Sequence, residues 1–187
     1  ALWQREWQGG DGLQEQVQYW RRQLQGPLPG LDLPTDPPRP AADVFRGAQK
    51  GVLLPEGLYE ALKELSQRRG GTLFMTLLAA FNTYLAASTG RNDILVGSPF
   101  ANRDRVETHG VIGPFVNTLV LRGDLSGQPT FLDLMSRVRE VVLGADAHQD
   151  LPIEKVVEAI RPPRDGSRNP LFQVNFRVLA TRELDLK

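Results

Sequence analysis

FVNTLVLRGDLS, residues 115–126, alternates in a way that sets the fold class. Successive side chains of a β-strand point to opposite faces, so Phe115, Asn117, Leu119 and Leu121 share one face. Downstream, Thr130 and Asp133 have the spacing of a capping box, and Leu134, Val138, Val141 and Val142 form the inward stripe of the helix that follows. Pro152 then opens a short helix with Ile153, Val156, Val157 and Ile160 in register. LFQVNFRVL (171–179) alternates again, with Phe172, Val174, Phe176 and Val178 on one side.

Upstream, DILVGSP (93–99) reads as an interior strand, and TLFMTLLAAFNTYLAAST (72–89), apolar almost all round, as a buried helix. Before it, Leu58, Ala61, Leu62 and Leu65 make the stripe of a helix that stops at Gly70–Gly71. GAQKGVLLP (47–55) looks like a strand running into a helix-starting proline. Leu13, Val17, Trp20 and Leu24 recur at helical spacing, and residues 26–40 hold six of the 14 prolines, which makes them an extended connector. Strands separated by one or two helices predict an α/β sandwich, a small sheet of four strands covered by helices.

The chain has 187 residues, enough for one domain with a core. Lysine plus arginine balances aspartate plus glutamate at 22 each, so no basic field draws in nucleic acid or an anionic membrane. No apolar run approaches a membrane span. The absence of cysteine excludes disulfides and thiolate chemistry and is compatible with a cytoplasmic address. The N-terminus has neither the charged start nor the apolar stretch of a signal peptide, and Ala1 in place of a methionine looks like a cut inside a larger protein or the result of processing.

Titratable and polar residues crowd into HQDLPIEKVVEAIRPPRDGSRNP (148–170). His148 with Asp150 and Glu154 has no recognised metal-ligand spacing, and His109 is far away in sequence. His148 as a general base oriented by Asp150 competes with a plainer role, capping the C-terminal end of the preceding helix. Ser98 and Ser167 lie in no nucleophile elbow and read as ordinary loop residues. In RDGSRNP (164–170) the arginines Arg164 and Arg168 favour structural pairing with Asp165, Glu154 or a strand end over binding a phosphate. Asn117, within an apolar strand, is costly unless bonded; it either satisfies backbone groups or faces a polar cavity.

Three of these segments, in this order, resemble the condensation domains of nonribosomal peptide synthetases. VIGPFVNTLVLR (111–122) is similar to the family's GxFVNT motif through Gly113, Phe115, Asn117 and Thr118. HQDLPIE is similar to HQDxPFE through His148, Gln149, Asp150, Pro152 and Glu154, with Ile153 in place of phenylalanine. RDGSRNPLF is similar to RDxSRNPLF through Arg164, Asp165, Ser167, Arg168, Asn169 and Pro170. YWRRQL (19–24), LDLPTDPPRP (31–40) and Ala1–Trp3 fit as well.

The resemblance implies a chloramphenicol acetyltransferase-like sandwich with a mixed β-sheet, and one lobe of a two-lobed domain. Residues 1–25 would be the helix leading out of an N-terminal lobe, 26–41 the connector, and 42–187 the C-terminal lobe, expected to be incomplete at its C-terminus. The family's catalytic HHxxxDG is absent from this chain, so none of its residues is expected to be catalytic. The motif residues would shape and line a channel, with Asn117 facing it. Such a lobe would work with its N-terminal lobe, aminoacyl and peptidyl carrier proteins bearing phosphopantetheine, and an adjacent adenylation domain. It would bind no cofactor or metal itself. Two other readings stand beside this one: a degenerate lobe that only docks a neighbouring adenylation or carrier domain, and a small acyltransferase using His148.

Overall fold

A computed structural model describes residues 11–33, 47–103, 106–163 and 168–179. Its elements are α1 (Asp11–Gln23), α2 (Glu56–Arg68), α3 (Leu73–Thr89), β1 (Asp93–Phe100), α4 (Val106–His109), β2 (Asn117–Asp124), α5 (Phe131–Asp146) and α6 (Ile153–Ile160). Local chemistry sets most of the ends. Pro55 and Pro152 precede α2 and α6 with φ near −58°, the angle a proline ring imposes. Thr72 caps α3, and Thr130 with Asp133 completes the capping box of α5. Gly90 stops α3 in the left-handed conformation at φ 69°.

β1 and β2 pair antiparallel from Asp93 opposite Asp124 to Phe100 opposite Asn117. On the other edge of β1, Gly97 bridges Asn175 in parallel, so β1 lies between two neighbours of opposite direction. Directly paired residues share a face. Ile94, Val96 and Ser98 therefore lie with Leu119, Leu121 and Gly123, while Leu95 and Gly97 lie with Val120 and Arg122. Both sides are covered, and Ile94 through Ser98 are buried without a break. Asn82 of α3 rests on Gly123, where an added Cβ would collide with its Nδ2. Phe172 rests on Gly97 in the same way, its ring occupying the place of a Cβ. Trp20, Leu24, Leu78, Leu121, Val138 and Leu151 fill the core around this pair of strands.

Arg122 ties α1 to the sheet. Its guanidinium grips both Asp93 oxygens at 2.9 and 2.7 Å, and its remaining Nη donates to the carbonyls of Gln23 and Gln25. Those carbonyls are left without partners where a helix ends. The fork to Asp93 raises the already high pKa of Arg122 against the opposing effect of burial.

The segment expected to form a final strand, 171–179, does so only at one bridge. Gly97 N–H donates to Val174 O at 2.9 Å and Phe176 N–H to Gly97 O at 2.8 Å. The next donor on this edge of β1 would be residue 99, and Pro99 has no N–H. The Ser98 hydroxyl instead donates to Phe176 O at 2.8 Å. Ser98 is thus a buried strand residue, correcting its reading as part of a loop.

Residues 47–55 form no strand: Val52 and Leu53 are 82% and 94% exposed. Three apolar side chains in a row do not make a strand without a backbone partner, and none lies beside them among the described residues. The stripe of α2 is likewise half open, with Leu58 and Ala61 exposed and Leu62 and Leu65 partly buried. α3 is buried on one side, through Met75, Leu78, Ala79, Asn82 and Leu85, while Tyr84 is exposed. Phe115 precedes β2 and does not share its ladder.

Substituting Gly97→Ala forces the Phe172 ring off β1. A loss of about 1–3 kcal/mol is expected, read as a lower denaturation midpoint, with the bridge to Asn175 weakened in amide exchange.

Candidate functional site

The link between α5 and α6, His148 to Pro152, is held by a dense set of hydrogen bonds. His148 Nδ1 donates to Gly144 O, one turn back in α5, at 2.7 Å. Its ring stacks on Tyr19 with centroids 3.8 Å apart and planes 5° from parallel. Gly144 makes room for this, since a Cβ there would lie 2.7 Å from the Tyr19 hydroxyl. Trp20 Nε1 donates to His148 O at 3.0 Å. His148 is therefore a helix-end residue clamped under α1, and among the described residues no serine, carboxylate or second histidine is bonded to its ring nitrogens.

Asn117 holds the rest of the turn. Its Nδ2 donates to Gln149 O at 2.7 Å and to Leu151 O at 2.8 Å, and its Oδ1 accepts from Ile153 N at 3.3 Å. Of the two roles open to a polar residue in this strand, Asn117 takes that of satisfying backbone groups. The carbonyls of a tight turn and the first N–H of α6 have no partner within their own elements, and one primary amide supplies both kinds. Leu151 is completely buried and Gln149 nearly so, with its Nε2 3.4 Å from Asp146 Oδ1. Asp150 is half-buried, and Glu154 sits exposed in the first turn of α6, where a negative charge is favoured.

A second knot joins the connector to the segment after α6. Arg168 Nη1 donates to Asp32 Oδ1 at 2.5 Å, and Arg91 reaches Asp32 Oδ2 at 3.5 Å. The hydrogen bond from Arg168, then its charge, then that of Arg91 hold the Asp32 carboxyl below the usual carboxylate range. A carboxyl with a lowered folded pKa stabilises above its ordinary pKa and loses that effect as pH falls through the lowered one. Asn169 Oδ1 accepts from the amides of Leu171 and Phe172. Gln173 bridges Asn169 O to the amide of Leu31. Pro170 is half-buried beside them. Arg168 thus pairs with the connector's Asp32, a partner outside the expected set, while Arg164, Asp165 and Ser167 lie outside the described residues.

Gly113 and Phe115 belong to a third feature, the loop between α4 and β2. Arg103 donates to the carbonyls of Thr108, Val111 and Gly113, and its guanidinium lies 4.3 Å from the centre of the Phe115 ring. His109 Nε2 donates back to Arg103 O at 2.9 Å. Thr118 follows in β2, half-buried opposite Pro99.

Among the described residues, the motif positions thus form three bracing clusters and bring no nucleophile to a base. No three histidines or carboxylates of these residues converge as a metal site would need, and no helix among them is long and apolar enough to cross a membrane. Arg103, Arg122, Asp32 and Gln173 are site residues that the sequence reading misses. Arg122 carries a usable signal: like Asn117, it is a polar residue in an apolar strand and needs partners. Arg103 and Asp32 carry none, because their partners are distant or backbone carbonyls.

The condensation-domain family model matches residues 1–182. The chain is 54% identical over 176 residues to a linear gramicidin synthase of Brevibacillus parabrevis, covering 94% of this chain and 4% of that protein. It is 49% identical over its whole length to malpinin synthetase of Mortierella alpina, covering 2% of it. Among solved structures, the X-domain from teicoplanin biosynthesis superposes with a TM-score of 0.84 at 30% identity, over 93% of this chain and 40% of that one. A four-domain nonribosomal peptide synthetase bound to AMP and glycine gives 0.82 at 30% identity, over 88% and 13%. The chain therefore spans a small part of these synthetases and less than half of the X-domain chain.

Asn117→Ala removes the hydrogen bonds that Asn117 makes to two carbonyls and an amide. At about 1–3 kcal/mol for each buried group left unsatisfied, global stability falls and the Ile153 amide exchanges faster. Burial lifts the Tyr19 hydroxyl from 10.0 to about 12. The folded state thus favours the neutral phenol, and stability present below pH 10 is lost as pH rises through about 12; phenolate absorbance should show one tyrosine titrating at that later midpoint.

With a matching family model over almost its full length and an α/β fold shared with solved relatives, this chain belongs to the condensation-domain family.

Proposed function

We propose that this chain is the C-terminal lobe of a nonribosomal peptide synthetase condensation domain, with residues 1–25 leading into it, 26–41 as connector and 42–187 as the lobe. The observation that carries this reading is the mismatch of coverage: the family match spans nearly the whole chain, yet the chain fills only 40% of a solved relative. The sequence also lacks HHxxxDG. In the complete domain, an amine on one carrier-bound aminoacyl group attacks the thioester carbonyl on another. The C–N bond forms, the C–S bond breaks, the pantetheine sulfur leaves as a thiolate, and the amine's proton passes by way of a base on the opposite lobe to that sulfur.

This lobe contributes a wall of fixed shape. The Asn117-braced turn and the Asp32–Arg168 knot hold the ends of β1 and β2 in place, so two tethered substrates can meet at high effective concentration. Carrier proteins bearing phosphopantetheine, an adjacent adenylation domain and the N-terminal lobe are the partners in this reading. A docking role without chemistry has one observation in its favour: the teicoplanin X-domain, 30% identical, has been solved in complex with OxyB.

The test is an amide-forming assay with carrier-bound donor and acceptor thioesters. Product is expected from the polypeptide in which this chain is joined to an HHxxxDG-bearing lobe and is absent with the chain alone. Product from the chain alone overturns the proposal. No product from the joined polypeptide, with carrier binding intact, supports the docking role instead.

A further inference from the structure

The segment bridged to β1 presents an open strand edge on its far side. Gly97 N–H donates to Val174 O and Phe176 N–H to Gly97 O, so Val174 and Phe176 turn their backbone groups toward β1. Backbone groups alternate in direction along a strand, so Gln173, Asn175 and Arg177 turn theirs away. Among the described residues, no hydrogen bond is made to the N–H or C=O of these three. Asn175 and Arg177 are exposed, while the Gln173 side chain is fixed between the Leu31 amide and Asn169 O. A row of free donors and acceptors on a held strand is a template for a further strand.

α3 leaves a matching face uncovered beside this edge. Phe176 stacks on Phe81 with centroids 5.3 Å apart, and Phe81 stacks in turn on Tyr84 at 6.4 Å. Leu77, Phe81, Tyr84 and Ser88 recur at the spacing of one helix face. Leu77 and Phe81 are partly buried, but Tyr84 is 65% exposed and Ser88 is exposed as well. The aromatic layer on α3 therefore continues beyond the segment that it covers.

The edge is complementary to itself. With Asn175 opposite Asn175 of a second copy, Gln173 faces Arg177, and every pair exchanges N–H and C=O groups as an antiparallel ladder requires. The two arginines do not meet. Val174 faces Phe176, a β-branched side chain against an aromatic one. Directly paired residues share a face, so both α3 helices lie on the same side of the joined sheet, with the Tyr84 rings between them.

We propose that two copies of this chain associate through this edge, strand against strand in antiparallel register, and close their uncovered α3 faces on each other. Each copy contributes the same surface, so the association ends at a dimer. It does not depend on the condensation reading.

Sedimentation velocity of the 187-residue chain is expected to show a monomer–dimer equilibrium that shifts with concentration. In amide exchange, Asn175 and Arg177 should slow as concentration rises, while Phe176, bonded to Gly97 within one copy, stays protected throughout. Asn175→Pro deletes the central outward N–H, which bonds to no described residue, and should leave a monomer. Tyr84→Lys, at an exposed position, brings like charges together in the joint and should raise the dimer Kd about tenfold. A monomer at every concentration, exchange at Asn175 that ignores concentration, or a dimer whose Kd Tyr84→Lys leaves unchanged each overturns the proposal. Should Asn175→Pro fail to fold, the exchange data and Tyr84→Lys still decide it.

Discussion

Three hydrogen bonds from one side chain hold the α5–α6 link to the sheet. Asn117 gives both amide protons to the carbonyls of Gln149 and Leu151 and takes the Ile153 amide proton on its oxygen. A partly buried turn has more carbonyls than its own amides can serve, and they need partners from elsewhere. A carboxylate could not donate, and an apolar residue could do neither. The geometry accounts for a polar residue in an apolar strand: its partners are the backbone groups of the turn.

The same logic recurs across the molecule. Arg122 collects the carbonyls of Gln23 and Gln25 where α1 ends while gripping Asp93, and Arg103 gathers three carbonyls of α4 and the loop before β2. His148 returns a proton to Gly144 and lends its ring face to Tyr19. Irregular segments are made rigid by single side chains that each serve several backbone groups. The close-packed glycines complement them: at Gly97, Gly123 and Gly144 a neighbouring side chain occupies the space a Cβ would need.

Large apolar side chains remain in solvent at Val52, Leu53, Val106, Ile112 and Val116. The last three surround the loop organised by Arg103, so they are displayed by a held loop.

Residues 13–24, 73–89, 93–99, 117–124, 131–146 and 153–160 were legible from the sequence, because a 3.6-residue or two-residue period, a proline or a capping pair is local information. The α/β fold class followed from their order, and the family from the resemblance of residues 111–122, 148–154 and 164–172 to its motifs. Residues 52–54 and 171–179 show where local information ends. Both carry strand-like residues, but a strand exists only where another backbone accepts its bonds, and Pro99 denies the second segment all but one bridge. The roles of Asn117 and His148 were narrowed to two alternatives by residue type alone. The choice fell to tertiary structure, because it depended on carbonyls about 32 residues away in sequence and on a tyrosine in the first helix.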